Sequence, residues 1–157
     1  MALQLKRMTK KNSMILAGTP EKVFPLLCPI REYEWIEGWA CDLIFSDSGL
    51  IEQDCIFITR FGDGTPETWH VSHYEKNRFI CFIRMTDFRT VRFEITLTDN
   101  HDGSSTAIWT QTFTALNERG NTSIESMDND LFTAQIRLRE QQLNHYLNTG
   151  TMLLSHT

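Results

Sequence analysis

The sequence contains no excess of positive charge and no long apolar run. Its 15 Lys and Arg against 20 Asp and Glu give the 157 residues a formal net charge of −5. A mildly acidic surface does not favour contact with a phosphate backbone, so nucleic acid is not an expected partner. The apolar runs are too short to span a bilayer, and residues 1–18 lack the continuous apolar stretch of a signal peptide. We therefore expect a cytoplasmic protein without a membrane span.

Cysteines are few and far apart. The four thiols, Cys28, Cys41, Cys55 and Cys81, form no CxxC pair, and each lies among apolar residues. A disulfide framework or a zinc site favours tighter spacing or a secretory context. The pattern therefore predicts reduced, buried thiols that act as small hydrophobic side chains.

Histidines are also few, and the one close pair is His70 and His73. Residues three apart on a strand point to opposite faces, so these two rings cannot converge without a bulge. No metal site is predicted, and no sequence pattern indicates a cofactor.

The four prolines and eight glycines divide the chain into elements. Residues 4–17 read as a first strand. Thr19 followed by Pro20 is a helix-start signal, so a short helix is expected over residues 20–27. Pro29 ends it, and a second short helix is expected over residues 30–35. Turn residues then separate six further strands, predicted over residues 39–46, 54–61, 67–74, 78–86, 88–98 and 105–116. Their regular spacing favours an antiparallel meander in sequence order.

Alternation of apolar and polar residues predicts which side chains face the interior. The clearest case is residues 88–98, where Val91, Phe93, Ile95 and Leu97 share one face. The same parity favours three further inward sets: Cys55, Phe57 and Thr59; Trp69, Val71 and His73; and Trp109, Gln111 and Phe113.

The apolar period changes to 3.6 from Asn121 onward, which is typical of an amphipathic helix. The stripe consists of Ile124, Met127, Leu131, Ala134 and Leu138, widened by Phe132, Ile136, Leu143 and Leu147. We expect one helix of about 27 residues, on the order of 40 Å long, ending near Gly150. His145 falls in its last turn, where a cation favours the helix dipole.

Two strings and the order of elements resemble a known superfamily. The strings are TPEKVFPLLCPIREYEWIEGW at residues 19–39 and LNHYLNTG at residues 143–150. Together they resemble the START-like polyketide cyclase/dehydrase (SRPBCC) superfamily, which has the helix-grip fold of plant pollen allergens. The resemblance covers almost the whole chain. It implies one START-like α+β domain over residues 1–157, with two short helices after the first strand. A seven-stranded curved antiparallel sheet would wrap around the long C-terminal helix.

The resemblance also implies a deep, mostly apolar cavity between sheet and helix. Superfamily members use it for lipids, polyketides, sterols, hormones or aromatic compounds, and some catalyse cyclisation or dehydration there. The expected cavity-lining residues are Trp35, Trp39, Phe57, Trp69, Phe82, Phe93, Trp109, Gln111, Phe113, Leu131 and Leu138. The tryptophans are the favoured ligand contacts, because each adds a ring for stacking and an N–H that needs a partner when buried.

Two main functions stay open at this point. The favoured one is a carrier or sensor that binds a small hydrophobic or aromatic molecule without catalysis. The alternative is a cyclase- or dehydratase-like enzyme, which requires at least two of His70, His73, Asp42, Arg84 and Gln111 to meet in the cavity. Asp42 and Arg84 are expected to face solvent; if either faces inward, it becomes the main functional candidate, because a buried charge needs a partner or a ligand carboxylate.

Two kinds of protein partner would each leave a mark on the surface. A module that assists chaperones would need a large exposed apolar patch, which the sequence does not clearly show. An open sheet has two exposed edges, which would allow a homodimer.

Overall fold

Seven antiparallel strands form one sheet in the computed structural model, which describes residues 4–155. The strands are β1 (Arg7–Leu16), β2 (Asp42–Phe45), β3 (Ile56–Thr59), β4 (Glu67–Glu75), β5 (Phe79–Met85), β6 (Arg89–Asp99) and β7 (Ser105–Ala115). Their order is β1-β7-β6-β5-β4-β3-β2, so β2 to β7 form the predicted meander and β1 returns to pair with β7. The predicted sheet is confirmed, and β1 and β2 are its two edges.

Short helical segments follow β1 as the sequence predicts. Helix α1 (Pro20–Val23) continues into a 3-10 turn over Phe24–Leu26, and a second 3-10 turn covers Arg31–Glu34. Thr19 has the extended backbone of an N-cap, although its side chain makes no capping hydrogen bond. Pro20 occupies the first helical position, where its missing N–H costs nothing.

The C-terminal segment differs from the prediction of one continuous helix. It forms α2 (Glu118–Glu125) and α3 (Asn129–Thr149), separated by three residues. The reason is a second capping site: Asp128 has an extended backbone, and its carboxylate accepts hydrogen bonds from the N–H groups of Asp130 and Leu131. Asn117 caps α2 in the same way through the N–H of Gly120. Gly150 ends α3 in the left-handed conformation, as expected.

The buried face of α3 is rotated relative to the predicted stripe. Ile136 and Leu143 are buried, and Phe132 packs against the core, whereas Leu131 is 64% exposed and Leu138 46% exposed. Because Asp128 restarts the helix, the buried line is 132–136–143, which the prediction gave as the widening of the stripe, instead of its centre 131–134–138. The expectation that Leu131 and Leu138 face inward together is therefore wrong for Leu131.

The core lies between the concave face of the sheet, α1 and α3. Val91, Phe93, Ile95 and Leu97 are all buried, which confirms the parity predicted for β6. The parity of β4 holds only as far as Val71. A bulge between Val71 and His73 shifts the register, so His73 faces solvent and Tyr74 packs inward against Phe24.

All four cysteines are free thiols, as predicted. Cys28, Cys55 and Cys81 are buried, and Cys41 is partly buried. Burial raises the pKa of the Cys55 thiol to about 11, which suppresses the reactive thiolate.

Within residues 4–155, no helix is both long and apolar enough to cross a membrane.

Gly120 lets α2 pack closely against the sheet. A Cβ at this position would lie 2.1 Å from the carbonyl oxygen of Phe88 and 2.9 Å from Ala115. We expect Gly120→Ala to lower the free energy of unfolding by about 1–2 kcal/mol, because backbone must move to make room. Thr122→Ala on the exposed face of α2 is the control, and urea unfolding should show a change within about 0.5 kcal/mol for it. Equal stability of the two variants would contradict the close packing.

Candidate ligand-binding cavity

A cavity of about 740 Å³ lies between the concave face of the sheet, the short helices and α3. Ten of the eleven predicted lining residues do line it: Trp35, Trp39, Phe57, Trp69, Phe82, Phe93, Trp109, Gln111, Phe113 and Leu138. Leu131 does not. The volume is within the range of pockets that hold small organic ligands.

Aromatic rings form a continuous floor on the sheet. Phe57 and Trp69 face each other across β3 and β4, and their rings stack at 5.1 Å between centroids. Trp69 meets Phe82 at 5.5 Å, Phe82 meets Phe93 at 5.8 Å, and Phe93 meets Trp109 at 5.0 Å. Alternation places these rings on the same face of five neighbouring strands, β3 to β7, which is why they touch. The floor suits a flat or apolar ligand.

Three of the four indole N–H groups donate a hydrogen bond within residues 4–155, and the fourth does not. Trp35 donates to the Leu26 carbonyl at 2.9 Å, Trp39 to the Pro29 carbonyl at 2.8 Å, and Trp69 to the Thr59 hydroxyl at 2.9 Å. These three rings are fixed by their hydrogen bonds. Trp109 Nε1 is buried and has no partner within residues 4–155, which leaves one donor of the floor unsatisfied.

Arg84 faces the cavity, contrary to the expectation that it faces solvent. Its Nε and Nη2 donate to Oε1 of Glu67 at 3.1 and 2.8 Å, and its Nη1 donates to Oε1 of Gln111 at 3.0 Å. The guanidinium lies 4.4 Å from the ring centre of Trp69, which is opposite Arg84 in the β4–β5 pairing. An inward charge on β5 is thus held by one carboxylate, one amide and one aromatic face.

Arg89, the first residue of β6, brings a second guanidinium to the same place. Its Nη2 lies 4.0 Å from Oε2 of Glu67, and its Nη1 donates to the Ser123 hydroxyl on α2 at 3.3 Å. Burial and the nearby Arg84 lower the pKa of Arg89, against the attraction of Glu67. Two buried polar atoms here, Glu67 Oε2 and Arg89 Nε, have no hydrogen-bond partner in the described part of the chain.

A second polar pair lies between the short helices and α3. Glu32, on the 3-10 turn, and Arg139, on α3, both line the cavity. Burial among apolar side chains raises the pKa of Glu32 to about 8, and the charge of Arg139 opposes that rise. Burial lowers the pKa of Arg139, whose Nη1 donates to Gln142 at 2.8 Å.

Exposed apolar side chains of the β3–β4 loop and of α3 mark where we expect the cavity to open. Phe61 on the loop and Leu138 on α3 both line the cavity while staying 49% and 46% exposed, so they form an apolar rim. Trp39 supports Phe61, with ring centroids 5.4 Å apart. A ligand that enters here passes between apolar side chains.

The other candidate polar residues lie outside the cavity. Asp42 pairs with Arg60, His70 with Asp54 at 3.0 Å, His73 with Glu75 at 2.9 Å, and Glu34 with Arg31. His145 lies near the Thr151 hydroxyl at the end of α3. Of the five residues on which the enzyme alternative depends, only Arg84 and Gln111 meet. Within residues 4–155, no group of His, Cys, Asp and Glu is arranged to hold a metal ion.

Five charged lining residues were missed by the sequence analysis: Glu32, Glu67, Arg89, Arg139 and Asp63 on the β3–β4 loop. A signal existed for two of them. Glu67 has the parity of Trp69, and Arg89 has the parity of Val91, so each falls on the inward face of its strand. The positions of Glu32 and Arg139 depend on how the 3-10 turn meets α3, which no local pattern encodes.

Comparison of sequences finds no matching family model and no matching curated protein. Comparison of structures does find similar proteins, and three illustrate them. Norcoclaurine synthase from Thalictrum flavum, solved with a transition-state analogue, has a TM-score of 0.68 and 8% identity, covering 94% of this chain and 98% of that one. The protein Ara h 8.0201 has a TM-score of 0.60 and 11% identity, covering 92% and 99%. An uncharacterised protein from Rhizobium leguminosarum has a TM-score of 0.66 and 14% identity, covering 92% and 97%.

These likenesses extend over nearly the full length of each partner, at identities that speak for the fold alone. They confirm the helix-grip fold that the sequence resemblance implied. A fold of this kind hosts several activities, so the function has to be argued from the cavity.

Proposed function

We propose that this protein binds a small hydrophobic or aromatic molecule in the cavity between the sheet and α3, as a carrier or sensor. The aromatic floor carries the argument. Five rings in mutual contact, from Phe57 to Trp109, line an open volume of about 740 Å³ instead of filling it. Apolar surface that remains unfilled is costly in water, and a ligand that covers it is stabilised by the same burial.

The mouth supports the same proposal. Phe61 and Leu138 expose apolar surface next to the cavity, which suits a ligand that leaves water as it enters. Norcoclaurine synthase, which has the same fold, was solved as a point mutant in complex with a transition-state analogue. That likeness is consistent with a small-molecule ligand in this chain.

A cyclase- or dehydratase-like reaction is the second candidate, and one observation favours it. Arg84 and Gln111 meet in the cavity, and Glu67 joins them. A guanidinium is suited to stabilise an oxyanion that develops during such a reaction. The binding role is preferred because Arg84 already donates two hydrogen bonds to Glu67. In addition, His70, His73 and His145 are not among the residues that line the cavity.

Two leucines on α3 give a matched test of the proposed mouth. Leu138 lines the cavity, whereas Leu131, two turns earlier and also exposed, does not. We expect Leu138→Glu to weaken binding of the neutral fluorophore N-phenyl-1-naphthylamine roughly three- to tenfold, because a carboxylate must be desolvated as the probe enters. Leu131→Glu should change the affinity less than about twofold.

Fluorescence titration measures both affinities, and native mass spectrometry checks that one probe binds per chain. Equal effects of the two substitutions would place the mouth elsewhere. If the unmodified protein does not bind the probe saturably, the proposed function itself is contradicted.

A further inference from the structure

Arginines outnumber carboxylates where β4, β5 and β6 meet in the cavity. Arg84 and Arg89 share one carboxylate, that of Glu67, and Gln111 completes the cluster without a charge. The whole protein has a net charge of −5, so this local excess of positive charge is opposite in sign to the surface. A buried charge without a full partner is unfavourable, and a counter-charge on a ligand relieves it.

We propose that the ligand of this cavity carries an anionic group, of the carboxylate type, which binds beside Arg84 and Arg89. Its apolar body then lies on the aromatic floor. This inference rests on the proposed binding function and names the chemical class of the ligand.

Arg89 is the residue with unused binding capacity. A guanidinium has five N–H donors, and within residues 4–155 Arg89 makes one side-chain hydrogen bond, to Ser123. Its closest carboxylate oxygen, Glu67 Oε2, is 4.0 Å away, beyond hydrogen-bonding distance. Glu67 places its other oxygen, Oε1, on Arg84. The one carboxylate therefore cannot satisfy both arginines.

The guanidinium groups are reachable from the cavity. Both residues line it, and the side chains of Arg84 and Arg89 stay 17% and 19% exposed. The planar fork of a guanidinium matches the two oxygens of a carboxylate. A ligand acid at this position would supply the second negative charge that the pair of arginines lacks.

The aromatic floor begins beside the two arginines. Arg84 lies over Trp69, and the ring contacts run from Trp69 through Phe82 and Phe93 to Trp109. An acid group at the arginines thus leaves the rest of a flat molecule against these rings. The geometry fits an aromatic or alicyclic acid better than a neutral lipid.

Two fluorophores that differ in one charge test this inference. 8-Anilinonaphthalene-1-sulfonate is N-phenyl-1-naphthylamine with an added sulfonate, which stands in for the carboxylate. We expect the sulfonate to bind the unmodified protein about tenfold or more tightly than the neutral probe. Arg89→Gln should remove most of that preference, because the second positive charge at the site is lost. Arg92→Gln is the control, because Arg92 lies on the same strand but faces solvent, paired with Glu94.

Each outcome decides one point. Neutral and anionic probes of equal affinity would overturn the inference and leave the proposed function standing. An anionic preference that survives Arg89→Gln would also overturn it, because the anion would then bind elsewhere. Failure of both probes to bind would reject the proposed function as well. Circular dichroism checks that the variants fold. If Arg89→Gln does not fold, the comparison of the two probes on the unmodified protein still decides the inference.

Discussion

Replacement of Glu67 by Gln is expected to lower the free energy of unfolding by about 3 kcal/mol, among the largest effects of a single substitution in this protein. Glu67 is a buried residue that accepts two hydrogen bonds from Arg84 and lies near Arg89. The amide keeps the shape but removes the negative charge that lies between two inward guanidinium groups. Breaking a buried ion pair on one side costs more than the pair itself contributes, because the remaining charge is left uncompensated.

Urea unfolding measures this loss of stability. Two further variants test whether an uncompensated buried charge causes it. Glu94→Gln removes the partner of Arg92 on the outer face of the sheet, where an exposed pair contributes about 0–1 kcal/mol. Glu67→Gln combined with Arg84→Met removes both members of the inner pair, and it should recover at least half of the loss. Similar stabilities for Glu67→Gln and Glu94→Gln would contradict the uncompensated-charge explanation.

The second large effect is a loss of stability at high pH that depends on Glu32. The pKa of Glu32 is raised from 4.5 to about 8 in the folded protein, chiefly by burial. Between these two values the folded state binds more protons than the unfolded state, so stability falls as pH rises. The full shift would correspond to roughly 4–5 kcal/mol, and partial solvent access to Glu32 reduces the expected effect to about 2 kcal/mol.

Glu32→Gln should therefore be more stable than the unmodified protein at pH 9 and similar to it at pH 5. Glu34, two residues along the same turn, is the control, because hydrogen bonds from Arg31 and Tyr146 lower its pKa. Its contribution has the opposite sign: it is present above the unfolded pKa and is lost as pH falls. Glu34→Gln should thus give no gain at pH 9. Thermal unfolding at both pH values shows the difference, and a pH profile unchanged by Glu32→Gln would place the Glu32 carboxyl in water.

Local patterns predicted the sheet well because alternation is a local signal that a half-buried strand cannot avoid. In β6 every second residue from Val91 to Leu97 is buried, as expected. The pattern failed in β4, where an extra residue between Val71 and His73 reverses the facing of the rest of the strand. A bulge leaves no mark in apolar periodicity, so His73 was assigned to the wrong face.

The helix prediction failed for a related reason. Apolar residues continue at a 3.6 period through residues 121–147, but Asp128 supplies an N-cap that divides the run. Capping competes with periodicity, and here the new start rotates Leu131 away from the sheet. The aromatic lining was predictable because rings in inward positions remain inward whether they fill a core or line a cavity.

The charged part of the cavity was less accessible to prediction. A lone Arg on a strand is most often exposed, and that reasoning assigned Arg84 to solvent. Its inward position depends on Glu67 and Gln111, which lie 17 and 27 residues away along the chain and meet it only through strand register. Such pairings are a property of the assembled sheet.

The central claim is that a small apolar ligand enters the cavity on the aromatic floor. Titration of N-phenyl-1-naphthylamine into the ¹⁵N-labelled protein, followed by NMR, tests it most directly, because all four tryptophans line the cavity. We expect the indole N–H signals of Trp35, Trp39, Trp69 and Trp109 to shift together and to saturate at one probe per chain. Amides of the outer turn between β6 and β7, residues 100–104, do not belong to the cavity lining and should move little. Saturable binding that shifts those outer amides and leaves the indole signals unchanged would contradict the account.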